Sequence, residues 1–319
     1  MKITSKKSFL NSKLWVFIKI IFSLGLLAYI FTQTNYEQLI SLKYRFSWGW
    51  FIVTALVFFV MLLIKTYQYY VFIGRKLGYF HLLEIVIIQN LLMNFVATAA
   101  GIASYLTMLG VEEDVRFGKA TESFVLVKIG DVVAVSLYLL FSLVFIRPLP
   151  TDALPIVVIV ASASLGFLLL LLTSVIFREK FLSLLKMVVK FFRISRLGLV
   201  QKSFGYLEKL VAYSRIELLR IIGHASLISL IYMGVTMLWG YARFRNFSLD
   251  LDVFAVIFIV SLLQFASWVP IYIFGGLGLS EGMYIYLLGI FSPESTALAA
   301  ILIGMRVISY LLNASTLLY

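Results

Sequence analysis

The chain divides into long apolar runs separated by short polar stretches. The runs lie at about 14–31, 48–73, 82–110, 120–146, 155–177, 219–241, 253–273, 279–291 and 296–318. About twenty helical residues cross a hydrocarbon core. Inside lipid every backbone polar group needs an internal partner, so runs of this length must be helical. The pattern predicts an all-α, polytopic membrane protein forming one integral membrane domain over 1–319. Two runs break the rule of one crossing each. Segment 279–291 is too short to span, and 82–110 is interrupted by the stretch ATAAG (Ala97–Gly101).

Charge orients these segments. The connection from Arg178 to Arg220 carries ten Lys/Arg against three Glu, which places it in the cytoplasm by the positive-inside rule. The lysine-rich N-terminus, MKITSKKSFLNSKLW, and Arg75–Lys76 belong on the same side. The loops at 32–47 and 147–154 carry few cations and are expected outside. If every run crossed once, 178–220 would end up outside. The conflict disappears if 82–110 is a re-entrant hairpin that enters and leaves on one side. A second broken hairpin, about 253–291, would enter from the opposite leaflet, the arrangement an inverted repeat produces; the other reading is that 253–273 spans fully and only 274–291 dips back. The first half then covers about 14–177, a cytoplasmic basic segment 178–218, and the second half 219–319. Within the basic segment Lys186, Lys190 and Arg193 share one helical face, which suits a helix lying against anionic headgroups; ordinary positive-inside flanking sequence is the other reading.

Composition agrees and excludes several chemistries. Of 319 residues, 62% are apolar and 13% charged, too apolar for a soluble domain. There is no cysteine, hence no disulfide and no thiolate site, and only His81 and His224 offer imidazoles. No metal or other cofactor is expected. The net charge of +12 follows from topology and does not call for nucleic acid as a partner.

The stretch FGGLGLSEGMY (Phe274–Tyr284) resembles neither a dinucleotide fingerprint nor a P-loop in context. It reads as a helix break at membrane depth. Pro270 removes a helix hydrogen bond, and Gly275, Gly276 and Gly278 permit unusual backbone angles; Gly101 has the same role in the first hairpin. Glu281 falls in the first turn after the break. There it could cap free N–H groups, accept a substrate cation or pair with a base. Lys65, Glu122, Lys128, Asp131, Glu281 and Arg306 lie within or just inside apolar segments, where ionisable groups face a cavity or one another. Lys128 and Asp131, three apart, share a face. Lys65 is close enough to the cytoplasmic end to snorkel, whereas Arg306 is too deep. Gln89, Asn90 and Asn94 line one face of the first hairpin's entering arm, and Gln264 and Ser267 the second's. The expected binding set is therefore Arg306, Glu281, Lys128, Asp131, Asn94 and Gln264, with no catalytic residues.

WVPIYIFGGLGLSEG followed by ALAAILIGMRVISYLL resembles the C-terminal signature of the lysylphosphatidylglycerol synthase transmembrane-region (flippase-like domain) family. Pro270, Gly275, Gly276, Gly278, Glu281 and Arg306 carry the resemblance, with Asn90, Asn94, Gly101, Lys128 and Asp131 upstream. The family often has a proline before the first break and an arginine just after it; Ala97, Ser104 and Tyr105 stand here instead. The resemblance implies translocation or presentation of a lipid headgroup, anionic or zwitterionic, in the cell membrane, with the N-terminus cytoplasmic. The sequence ends at Tyr319, just past the last helix, so aminoacyl transfer is not expected. Two other classes stay open. One is a membrane enzyme acting on a lipid-linked substrate, for which the only tight acidic group, Glu112–Asp114, reads as a solvated turn. The other is a non-transporting subunit that recruits a partner through the basic segment, with an oligomer also conceivable.

Overall fold

Helices form here because the apolar runs leave the backbone no partner but itself. The computed structural model describes residues 36–74, 77–111, 115, 117–146, 154–177, 214–267, 279–291 and 298–318, with six positions between 179 and 187. They form α1 (Tyr36–Arg45), α2 (Trp48–Ile73), α3 (Tyr79–Phe95), α4 (Thr98–Val111), α5 (Phe117–Phe145), α6 (Leu154–Ile176), α7 (Arg215–Asn246), α8 (Val253–Ser267), α9 (Leu279–Phe291) and α10 (Leu298–Ser315), with a 3₁₀ turn at Thr316–Leu318. Among the described residues there is no strand. Segment 14–31, Lys190 and Arg193 of the basic segment, and Pro270, Gly275, Gly276 and Gly278 lie outside them.

Five of these helices, α2, α5, α6, α7 and α10, are long and apolar enough to cross a membrane. The first of them turns an apolar face outward. On α2, Ile52, Leu56, Phe59, Leu63 and Tyr67 are exposed at spacings of three and four, while Thr54, Phe58, Leu62, Thr66 and Tyr69 on the other face are buried. A soluble helix does the reverse. Sequence-level stops are visible at the ends. Gly74 ends α2 in the left-handed conformation at φ 91°. Ser214 and Glu217 form a reciprocal capping box at the start of α7. Asp252 accepts hydrogen bonds from the amides of Phe254 and Ala255 at the start of α8.

Three helices make the centre. α2 and α7 run antiparallel: Gln68 meets Ser229 and Thr54 meets Asn246. α5 runs parallel to α7, with Gly130 against Ala225 and Ser229, and Tyr138 against Leu230 and Gly234. The end of α2 and the start of α5 therefore lie at the same end of the bundle. The intervening α3 and α4 leave and return at that end. The second pair opens the other way. Phe254 at the start of α8 packs on Phe141 and Phe145 near the end of α5, and Phe291 at the end of α9 packs back on Phe258. The two hairpins thus open toward opposite ends of the bundle. α10 meets the tip of the first, where Tyr310 stacks on Phe95 at 5.2 Å.

The first break differs from expectation. α3 ends at Phe95 and α4 begins at Thr98, so the chain turns at Val96 and Ala97. The amides of both residues donate to the carbonyl of Leu92. Gly101 lies inside α4. Its role is close approach: a Cβ there would stand 2.5 Å from the carbonyl oxygen of Gln89 and 2.1 Å from Met93 Cγ. A two-residue turn folds α4 so tightly on α3 that only a hydrogen fits at the first contact.

Gly130 does the same between α5 and α7, where a Cβ would stand 2.6 Å from the carbonyl oxygen of Ala225. Gly166 on α6 faces open space. Gly130→Ala is expected to cost about 1–3 kcal/mol by overpacking and Gly166→Ala nothing measurable. Thermal unfolding of the two variants in detergent, followed by circular dichroism, checks this; equal melting would remove the packing role of Gly130.

Candidate functional site

Along α7 the residues Ser229, Tyr232, Thr236, Trp239, Arg243 and Asn246 recur at alternating spacings of three and four. That repeat keeps them on one helical face. Each carries a polar atom, in a helix otherwise rich in Leu, Ile and Met. On α2 the residues Thr54, Phe58, Met61, Lys65 and Gln68 follow the same repeat. The stripes meet in antiparallel register. Gln68 Nε2 donates to Ser229 Oγ at 2.8 Å. Lys65 Nζ lies 4.5 Å from the Tyr232 ring centre. Phe58 packs on Trp239, and Asn246 Nδ2 donates to Thr54 Oγ1 at 2.7 Å.

Two abutting cavities open along this seam, about 260 and 140 Å³ in volume. Phe58, Asn90, Tyr232, Gln264 and Ser267 line both. The smaller holds Lys65, Lys128 and Asp131; the larger holds Arg243, Glu281 and Arg306.

At the first cluster Asp131 is the hub, with 1% of its surface exposed. Its Oδ2 lies 2.7 Å from Lys65 Nζ and 3.6 Å from Lys128 Nζ. Oδ1 accepts from Ser229 Oγ at 3.1 Å. The expected Lys128–Asp131 pair is present. Lys65, expected to snorkel, instead turns inward and makes the shorter contact, because the buried carboxylate of Asp131 on α5 draws its ammonium away from the helix end. Gly130 lets α7 come close enough for Ser229 to reach Asp131.

At the second cluster the carboxylate comes from the first turn of α9. Arg306 Nε donates to Glu281 Oε1 at 2.7 Å and Nη2 donates to Ser280 Oγ at 3.1 Å. Glu281 thus pairs with a base, one of the three roles open to it from sequence. Arg243 stands beside this pair, with Tyr284, Arg306 and Glu281 as its electrostatic neighbours. It is 9% exposed, stacks 4.3 Å from the Trp239 ring centre, and donates from Nη2 to the carbonyl of Met305 at 3.4 Å. Among the described residues its Nε and the Trp239 Nε1 are buried donors that meet no acceptor.

The asparagines tie the two halves together. Asn313 Oδ1 accepts from Asn90 Nδ2 at 2.7 Å and from Asn94 Nδ2 at 3.3 Å, joining α3 to α10. Asn94 and Gln264 both line the larger cavity. Glu122 is not part of either cluster; it pairs locally with Lys119 at 3.2 Å.

Sequence reasoning missed Arg243, Tyr232, Ser229 and Gln68. Arg243 was lost because the apolar run stops at Tyr241, whereas α7 continues to Asn246. The three–four repeat of polar residues was the available signal.

Removing the hub carboxylate takes their shared counter-charge from two ammonium groups, one of them largely buried. Asp131→Asn should therefore destabilise the fold by about 3–5 kcal/mol, while Lys128→Met, which leaves the Lys65–Asp131 contact, should cost far less. Thermal melting of both variants decides; an unchanged Asp131→Asn melt would deny Asp131 its hub role.

A family model described as the lysylphosphatidylglycerol synthase TM region matches residues 16–314. No curated protein and no solved structure matches. The matched span contains both hairpins and all six residues of the two charge clusters. With five helices long and apolar enough to cross a bilayer, this is an integral membrane protein, and it belongs to the lysylphosphatidylglycerol synthase transmembrane-region family.

Proposed function

We propose that the protein is a flippase-like lipid transporter that moves or presents an anionic or zwitterionic phospholipid headgroup across the cell membrane, without catalysing a chemical step. The observation that carries this reading is the pair of abutting cavities, lined by polar and charged side chains inside a bundle with many exposed apolar residues. A lipid needs a polar path only for its headgroup. The acyl chains stay in the bilayer beside outward-facing residues such as Leu56 and Leu63 on α2.

The hairpins supply the means of opening and closing such a path. Their arms run 17 and 14 residues in α3 and α4, and 15 and 13 in α8 and α9. At about 1.5 Å per residue, each falls short of a hydrocarbon core of about 30 Å. We read both as re-entrant, entering from opposite leaflets, as in an inverted repeat. Both contribute to the cavity walls, through Asn90 and Asn94 on one side and Gln264 and Glu281 on the other. A small rocking of either hairpin would open the cavity to its own leaflet. With the N-terminus and the basic segment in the cytoplasm, the Lys65–Lys128–Asp131 cluster faces the inner half and the Arg243–Arg306–Glu281 cluster the outer half.

Purified protein in liposomes with fluorescent phosphatidylglycerol tests the reading by the rate at which label becomes accessible to an external quencher. Wild type should exceed empty liposomes, and Arg306→Ala and Glu281→Gln should each slow transfer by on the order of tenfold, about 1.4 kcal/mol on the barrier. Wild-type transfer by both variants, with wild-type melting, would exclude this ion pair from the path. No transfer by wild type would refute transport.

A further inference from the structure

The two cavities meet at a partition. Besides the residues already placed there, Met61 on α2 and Met93 on α3 line both cavities. With Phe58 and Tyr232 they bring apolar surface to the place where the two charged chambers come together. Lys65, Lys128 and Asp131 stand on one side of it, and Arg243, Glu281 and Arg306 on the other. An apolar constriction between polar chambers sheds water, and it opens without a salt bridge to break.

The four side chains are held to different degrees. Phe58 packs on Trp239, with ring centres 6.4 Å apart. Tyr232 lies under the Lys65 ammonium, 4.5 Å from its ring centre. Both rings belong to the α2–α7 seam, which the Gln68–Ser229 and Thr54–Asn246 hydrogen bonds hold in register. Methionine is of another kind. It is unbranched, with several rotatable bonds, and fills gaps of irregular shape. A methionine pair therefore suits a gap whose shape has to change.

The two methionines also ride on different parts of the fold. Met61 belongs to α2, within the seam. Met93 belongs to the first hairpin. Its Cγ occupies the space that a side chain at Gly101 would take, since a Cβ there would stand 2.1 Å away. Met93 keeps its place only while α4 lies against α3. One turn earlier, Asn90 donates to Asn313 on α10 at 2.7 Å, so the same stretch of α3 is tied to the last helix. A hairpin that rocks away from the seam carries Met93 from Met61, and its return brings the two back together.

We propose that Met61 and Met93, backed by Phe58 and Tyr232, form a gate between the two cavities that limits the size of headgroup able to pass. The gate rests on the transporter reading for what passes, and adds to it the residues that set which headgroups do. Selection here is by bulk. A compact headgroup passes when two flexible side chains change rotamer, whereas a bulky one needs more room than that change provides.

The chain has no cysteine of its own, so the Met61→Cys/Met93→Cys double variant presents a single pair of thiols. In liposomes a short bifunctional methanethiosulfonate should join them, seen as an intramolecular link by mass spectrometry. Transfer of fluorescent phosphatidylglycerol should then fall to the level of empty liposomes and return on reduction. Met61→Ala/Met93→Ala removes bulk instead. It should transfer phosphatidylglycerol at least as fast as wild type, and a lipid with a digalactosyl headgroup faster by on the order of tenfold, about 1.4 kcal/mol off the barrier. A purely structural role would slow both lipids together. Where the alanine pair does not fold, the thiol pair decides. No link between the thiols, a link that leaves transfer unchanged, or an unaltered ratio of the two lipids overturns the gate. If wild type transfers neither lipid, transport is refuted and protection decides the gate: short-chain phosphatidylglycerol that slows the linking supports it, and an unchanged linking rate overturns it.

Discussion

The fold depends on the antiparallel seam between α2 and α7. In lipid, a helix face gains little by burying leucine against leucine, because the surrounding chains are equally apolar. Polar atoms are different: each must find a partner inside the protein. The Thr54–Asn246 and Gln68–Ser229 hydrogen bonds pin the seam at two points fourteen residues apart on α2, with Lys65 over Tyr232 and Phe58 against Trp239 between them. A slip of one residue would carry the whole set out of contact. One pairing therefore sets register, orientation and the position of the cavity together.

Close backbone approach then places the charges. Asp131 reaches Ser229 because Gly130 has no side chain to hold α7 away. The first hairpin lies flat against itself because Gly101 admits the carbonyl of Gln89, which keeps Asn90 and Asn94 within reach of Asn313 on α10. Both devices spend conformational freedom at a glycine, inside a helix where that freedom is otherwise a liability, to bring a polar contact into range.

How much of this was legible depends on whether a feature is local. Segments 48–73 and 279–291 coincide with α2 and α9, since apolar run length reports lipid contact directly. Lys128 with Asp131 follows from spacing on one helix, and Glu281 with Arg306 came within reach because both were conspicuous charges in apolar runs. Lys65 was misjudged because its distance from the helix end says nothing about a carboxylate on α5. Arg243 was missed because a charge near the end of an apolar run looks like its boundary. Gly101 was assigned to the wrong task because a glycine near a break suggests a turn, while the need for its missing Cβ arises only once α3 and α4 pack. Each failure concerns a partner on another helix, supplied by tertiary register.

The same constraint places the carboxylates. A buried ammonium or guanidinium inside an apolar bundle has to be answered from within the protein, and the answering group need not come from the cation's own helix. Lys65 on α2 finds Asp131 on α5, and Arg306 on α10 finds Glu281 in the first turn of α9. Each ion pair therefore ties together two helices that the α2–α7 seam does not itself join. The seam sets the register of the centre, and the carboxylates carry that register outward, Asp131 through Ser229 to α7 and Glu281 through Arg306 to the last helix. A carboxylate moved by one residue on α5 or α9 would point to another face of its helix, so the charges are as strict a measure of helix register as the hydrogen bonds of the seam.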